Sequence, residues 1–137
     1  MTSPAADTAD RENDVYNKRH RQSLAQLVTQ LFERWELSNA QQLELLGIPS
    51  GSASTLARYR RGEPLAATRD LIERVGHLLA IHKSLRLYFP ENRSVAYRWM
   101  TTRNADFDNH TPMEMVQQYG FAGLLMVRSY LDRIRGE

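Results

Sequence analysis

Three features of the sequence predict an all-α fold. Apolar residues recur at spacings of three and four over most of the chain, no alternating run of useful length occurs, and helix start and stop residues punctuate it at short intervals. At 137 residues the chain has close to one domain's length, by a yardstick of roughly 150 residues per domain. Residues 1–13, MTSPAADTADREN, are small, polar and acidic with no periodic apolar positions, and they are expected to form a disordered leader. From about Val15 to Trp35, the residues Leu24, Leu27, Val28, Leu31, Phe32 and Trp35 fall on one stripe of a first helix. Ser38 opens a second helix, 39–46: its hydroxyl can accept from the Gln41 backbone N–H while the Gln41 side chain reaches back, and Gly47 and Pro49 close the segment. A third runs from Ser52 to Arg61, anchored by Leu56 and Tyr59 and stopped by Gly62 and Pro64. Thr68 caps a long fourth helix with Leu71, Val75, Leu78, His82, Leu85 and Phe89 on one stripe, widened by Ile72 and Leu79, until Pro90 ends it. Ser94 to Thr102 predicts a fifth helix carrying Val95, Ala96, Trp99 and Met100. After the turn-rich stretch from Arg103 to His110, the capping Thr111 and first-turn Pro112 open a sixth helix to Gln118. Gly120 breaks it, and the last helix, Phe121 to Arg135, sets Leu124, Val127, Leu131 and Ile134 on its inner face with Tyr130 at the edge.

Composition narrows the function. The chain is 42% hydrophobic and 25% charged and contains no cysteine, which excludes disulfide frameworks, Cys-bearing zinc sites and thiol nucleophiles and makes the cytoplasm the expected location. Apolar runs are too short for a membrane span, and the acidic start lacks the basic-then-apolar order of a secretory signal. His77 and His82 are five apart and point away from each other on a helix, so they cannot form a zinc-binding i, i+4 pair. His82 is expected to be a core histidine with a satisfied hydrogen bond; His20 and His110 stand alone in polar stretches. No nucleophile elbow, phosphate loop or dinucleotide fingerprint occurs. Catalytic residues, cofactors and metals are therefore not expected.

The formal charge of +2 conceals local clusters, because the acidic leader cancels part of the arginine supply. Two short helices joined by a tight glycine-containing turn, residues 38–62, follow the helix-turn-helix plan. The second helix ends in Arg58-Tyr59-Arg60-Arg61, which can neutralise phosphates, and places Ser52, Ser54 and Thr55 at its first turn, where a recognition helix meets base edges. The same pattern also fits a solvated arginine face. On the last helix Leu125 falls roughly opposite the inner stripe. It is either a lone surface leucine or the centre of a second buried face made against another chain, with Arg128, Arg133 and Arg135 on the rim and Gly136-Glu137 as a free tip.

These residues also carry a family resemblance. Trp99-Met100, Asn104, Phe107, Thr111-Pro112-Met113-Glu114-Met115, Gly120, and the ending Val127, Tyr130-Leu131, Ile134 and Gly136 resemble in that order the toxin-binding domain of the Xre/MbcA/ParS antitoxins. Upstream, Trp35-x-Leu37-Ser38, Leu45-Leu46-Gly47 and Tyr59-Arg60-Arg61-Gly62 resemble their Xre-like helix-turn-helix half, so that the match spans about residues 24–137. The resemblance implies an antitoxin whose partner is a RES-domain toxin, an enzyme that destroys NAD. In the family the C-terminal part occludes the toxin's NAD pocket and the helix-turn-helix half can repress its own operon. Carried over, Trp99, Asn104 and Gly120 would shape the toxin-binding domain, and Arg135, Gly136 and Glu137 would lie near the blocked pocket. The implied domains are a leader (1–13), a helix-turn-helix domain (14–90) and a toxin-binding domain (91–137). The implied partners are the toxin, operator DNA, and a second copy in a homodimer within the toxin-antitoxin hetero-oligomer. The competing expectation is a stand-alone helix-turn-helix regulator with a dimerising C-terminal domain.

Overall fold

The computed structural model describes residues 16–136, so the expectations for the leader and for Glu137 lie outside the described residues. Among the described residues seven α-helices follow one another: α1 (Lys18–Arg34), α2 (Asn39–Leu46), α3 (Ala53–Arg60), α4 (Arg69–Tyr88), α5 (Arg93–Arg98), α6 (Pro112–Tyr119) and α7 (Phe121–Ile134). Single 3-10 turns lie at Trp99–Thr101 and Ala105–Phe107, so the expected fifth helix tightens after Arg98 instead of continuing to Thr102. Among the described residues the fold is all-α, and no helix is long and apolar enough to cross a membrane.

Local chemistry accounts for the helix boundaries. Ser38 and Gln41 form a reciprocal capping box, with backbone-to-side-chain bonds of 2.9 and 3.2 Å, and Thr111 and Glu114 form another at 2.8 and 3.0 Å. Each box satisfies two N–H groups, one of them a first-turn amide that the helix leaves unpaired. Gly47 ends α2 at φ +68°, in the left-handed region that glycine enters without strain.

One apolar cluster runs through the described chain, from Ala25, Val28 and Phe32 of α1 through Leu45, Leu56 and Leu78 to Met100, Met113, Leu124 and Leu131. Its spine is α4, which packs on α1 and α2 on one side and on α5 and α7 on the other. α4 and α7 run parallel: Arg128 donates to His77 at 2.7 Å and, one heptad further along both helices, Arg135 donates to Ser84 at 2.8 Å. α6 and α7 meet so closely at Gly123 that an added Cβ would lie 2.1 Å from the Met115 carbonyl oxygen.

The structure corrects three expectations of burial. Leu27 is 51% exposed, because the buried face of α1 is centred on Ala25, Val28, Thr29 and Phe32; Thr29 enters the core by donating its hydroxyl to the Ala25 carbonyl at 2.7 Å. His82 is half-buried and stacks on Tyr97, with ring centroids 6.3 Å apart, rather than sitting in the core. Ile134 is 37% exposed, since it lies about 80° round α7 from Leu124, which heads the line facing α4.

Candidate functional site

The helix-turn-helix half presents α3. Leu56 and Tyr59 are buried and fix the rotation of the helix, which leaves Ser54 and Arg58 exposed and Ser52 and Thr55 half-buried. Ser52 occupies the N-cap position without making a capping bond, so its hydroxyl is not consumed by the helix start. The three arginines divide by role. Arg60 turns back to α2, donating to Asn39 at 2.9 Å and to the buried Gln42 at 3.1 Å, while Gln42 in turn donates to the Leu37 carbonyl. That network fixes the angle between the two helices of the motif. Arg58 reaches Thr55 at 3.2 Å and Glu63 at 3.8 Å, with both ion-pair partners about half exposed, and Arg61 is exposed. Arg58 and Arg61 are therefore the pair left presented to solvent. Sequence spacing alone placed Arg60 with them; its partners on α2 are 18 and 21 residues away.

The C-terminal half presents an open groove between the loop at 105–110, the end of α6 and the outer face of α7. Its floor and walls include Phe107, Met115, Tyr119, Leu125 and Met126, and the charged Asp106, Asp108 and Arg133 also line it. Tyr119, Leu125 and Met126 are exposed. Leu125 and Arg133 are thus brought together, as expected. Arg128 and Arg135 are not with them, because they lie on the face of α7 that meets α4. Since a guanidinium only donates, His77 Nδ1 must accept from Arg128, which puts the imidazole proton on Nε2. Burial first, and the Arg128 charge second, push the His77 pKa below its ordinary 6.5, in keeping with the neutral ring this bond needs.

Asn104 organises the loop. Its side chain accepts from Asp106 N–H at 2.9 Å, its backbone N–H donates to the His110 carbonyl at 3.0 Å, and the two residues form an isolated antiparallel bridge. Tyr130 clasps the loop to α7 by donating to Asp106 at 2.7 Å, and its ring stacks on Trp99 at 6.1 Å and packs against Phe107 at 4.9 Å. Burial and the Asp106 bond raise the Tyr130 pKa. Trp99 and Phe107 are half-buried and buried, so they support the groove from beneath. Gly136 is exposed at φ +85° just beyond α7. Sequence reasoning missed Tyr119, Met126 and the two aspartates; Met126 was findable, because it adjoins Leu125 on the outward side of the helical wheel.

An interhelical turn with an arginine-bearing second helix, joined through α4 to a groove-bearing helical module, defines a helix-turn-helix protein with a second binding domain on the same core. Sequence comparison makes the class specific. Residues 16–80 match the antitoxin Xre-like helix-turn-helix domain, and residues 84–136 match the antitoxin Xre/MbcA/ParS C-terminal toxin-binding domain. The protein y4oB of Sinorhizobium fredii is 37% identical over 106 residues, covering 76% of this chain and 78% of its own. The chain belongs to the Xre/MbcA/ParS antitoxin family and has the two domains of a toxin-antitoxin antitoxin, one of helix-turn-helix type and one that binds toxin.

Proposed function

We propose that this antitoxin neutralises a RES-domain, NAD-degrading toxin by covering its active site with the outer face of α7 and the tip after it, Gly136 and Glu137, while Arg135 holds the base of that tip to Ser84 of α4. On this reading the chain binds rather than catalyses, needs no cofactor, acts in the cytoplasm as a homodimer within the toxin complex, and represses its own operon through α3. The observation that carries the binding role is the placement of exposed apolar side chains. Of the eight large ones among the described residues, six lie at or beyond Leu87, and Tyr119, Leu125 and Met126 line one groove within the toxin-binding domain. A rimmed apolar face of this kind is the ordinary signature of a protein interface. The choice of a RES toxin rests on the family resemblance.

Leu131 is 1% exposed, so a truncation that begins there removes core as well as tail. Deleting Gly136 and Glu137 alone is the sharper test: co-expressed with the RES-type toxin, the shortened chain should still co-purify with it while cellular NAD falls. Preserved NAD would refute active-site coverage by the tail. For the DNA role, Arg58→Ala with Arg61→Ala should weaken operator binding and flatten its salt dependence, because fewer phosphate counterions are released; an unchanged gel shift would overturn the assignment.

A further inference from the structure

We infer that the DNA-facing surface extends beyond the helix-turn-helix onto α1, where Lys18 and Gln22 join Arg58 and Arg61 in a cleft that receives a backbone phosphate of duplex DNA. The inference rests on the reading of α3 as the recognition helix. One wall of the cleft is the first turn and a half of α1, with Lys18 and Gln22; the other is the end of α3 and the turn after it, with Arg58, Arg61 and Glu63. Three cations face one carboxylate. The carboxylate, Glu63, lies 3.8 Å from Arg58 in a half-exposed pair, which solvent screens and which holds Arg58 only weakly. The side chains of Lys18 and Arg61 make no hydrogen bond or ion pair among the described residues, so their charge is uncommitted.

The walls are locked together before any ligand arrives. Arg21, one turn along from Lys18, donates to the Leu65 carbonyl at 2.7 Å, and Leu65 N–H donates back to the Arg21 carbonyl at 3.2 Å. Gly62, at φ +91°, lies so close to α1 that an added Cβ would sit 3.1 Å from the Gln26 amide nitrogen. The spacing between Lys18 and the α3 arginines is thereby set by the fold, and binding an anion there requires little further ordering. α1 also starts with Lys18 and Arg19 and has no acid in its first turn, an arrangement opposed by the helix dipole that a nearby anion relieves.

Position selects the ligand. A helix in the major groove is flanked by phosphate backbones, and one flank of α3 is occupied by its tie to α2 through Arg60. The cleft lies where Arg58 and Arg61 are presented, and its flexible cations and amide suit a phosphodiester rather than a base edge, so its contribution is independent of sequence.

The test is fluorescence anisotropy of the full chain on an operator-region duplex and on a shuffled duplex, across a salt series, with circular dichroism to confirm folding. Lys18→Gln should weaken both duplexes to the same degree and reduce the slope of log affinity against log salt by about 0.9. Lys18→Arg should restore both, and Lys83→Gln, an exposed cation on α4 outside the cleft, should change neither. If Lys18→Gln leaves affinity and slope unaltered while Arg58→Ala weakens binding, the cleft is refuted and the recognition-helix reading stands. If the wild-type chain binds neither duplex, the recognition-helix reading is refuted and the cleft with it.

Discussion

The two halves of this antitoxin share one core but expose opposite chemistries. The helix-turn-helix half hides nearly all of its large apolar side chains and shows cations, with Lys18, Arg58 and Arg61 on one cleft. The C-terminal half leaves Tyr119, Leu125, Met126 and Ile134 uncovered and turns two of its arginines inward, onto His77 and Ser84 of α4. The same residue type therefore does contrary work. At the end of α3 an arginine is a surface charge; on the inner side of α7 it is a strut whose aliphatic stem and donors serve packing. What distinguishes the partner of each half is which side chains the common core leaves over.

The largest test of this contrast asks whether the halves are separable. Gly123→Ala must push α6 from α7, because the new methyl would lie 2.1 Å from a backbone carbonyl, and it should cost about 3 kcal/mol or more. In a denaturant titration the loss should appear as one transition shared by both halves; a second transition left by a surviving residue 16–80 unit would show two independent cores. A smaller effect separates the surfaces instead. Leu125→Asp with Met126→Asp should lower toxin affinity by about 2 kcal/mol, roughly thirtyfold, while unfolding temperature and operator binding stay unchanged, as read by calorimetry and gel shift.

Removing the hydroxyl half of the second capping box with Thr111→Ala should cost about 1 kcal/mol. Its Glu114 carboxyl is held below its ordinary 4.5, first by the Thr111 backbone N–H, so the box contributes fully above that pH and is lost as acid titrates the carboxylate. Glu114→Gln, which keeps an acceptor for the Thr111 backbone N–H without titrating, should show a shallower loss of stability on acidification below pH 4.5 than the parent. The smallest effect belongs to His77. Its depressed pKa means that the unfolded chain binds the proton first, so stability is full above 6.5 and declines as pH falls from 6.5 through the folded value. His77→Gln keeps an acceptor for Arg128 without titrating, and it should remove part of that slope; His82, also lowered by burial, supplies another part. An unchanged pH profile would show that the α4–α7 contact does not depend on the neutral imidazole.

Much of the fold was legible because its signals are local. Ser38 with Gln41, Thr111 with Glu114 and Thr68 ahead of Leu71 are three-residue relationships, and the structure forms all of them. The errors are of rotation. Leu27 was counted with a stripe whose centre lies nearer Ala25 and Thr29, and a buried threonine carries no apolar signal by which to find it. In the candidate sites, Leu125 and Arg133 could be placed on one face by helical spacing. The inward turn of Arg128 and Arg135 could not, since their partners lie 51 residues earlier and the parallel course of α4 and α7 is a property of the topology. Lys18 escaped notice for the same reason: only the folded chain brings it to Arg58.

The shared spine of α4 has a consequence for how long the protein lasts in a cell. Its two sides are covered by different domains, so a protease that gains access to it by unfolding the chain destroys the cationic cleft and the apolar groove in one event. On the proposed function, repression and immunity should then decay with a single half-life. A core substitution on α4 such as Leu78→Ala would shorten both by the same factor, whichever half a pulse-chase experiment follows.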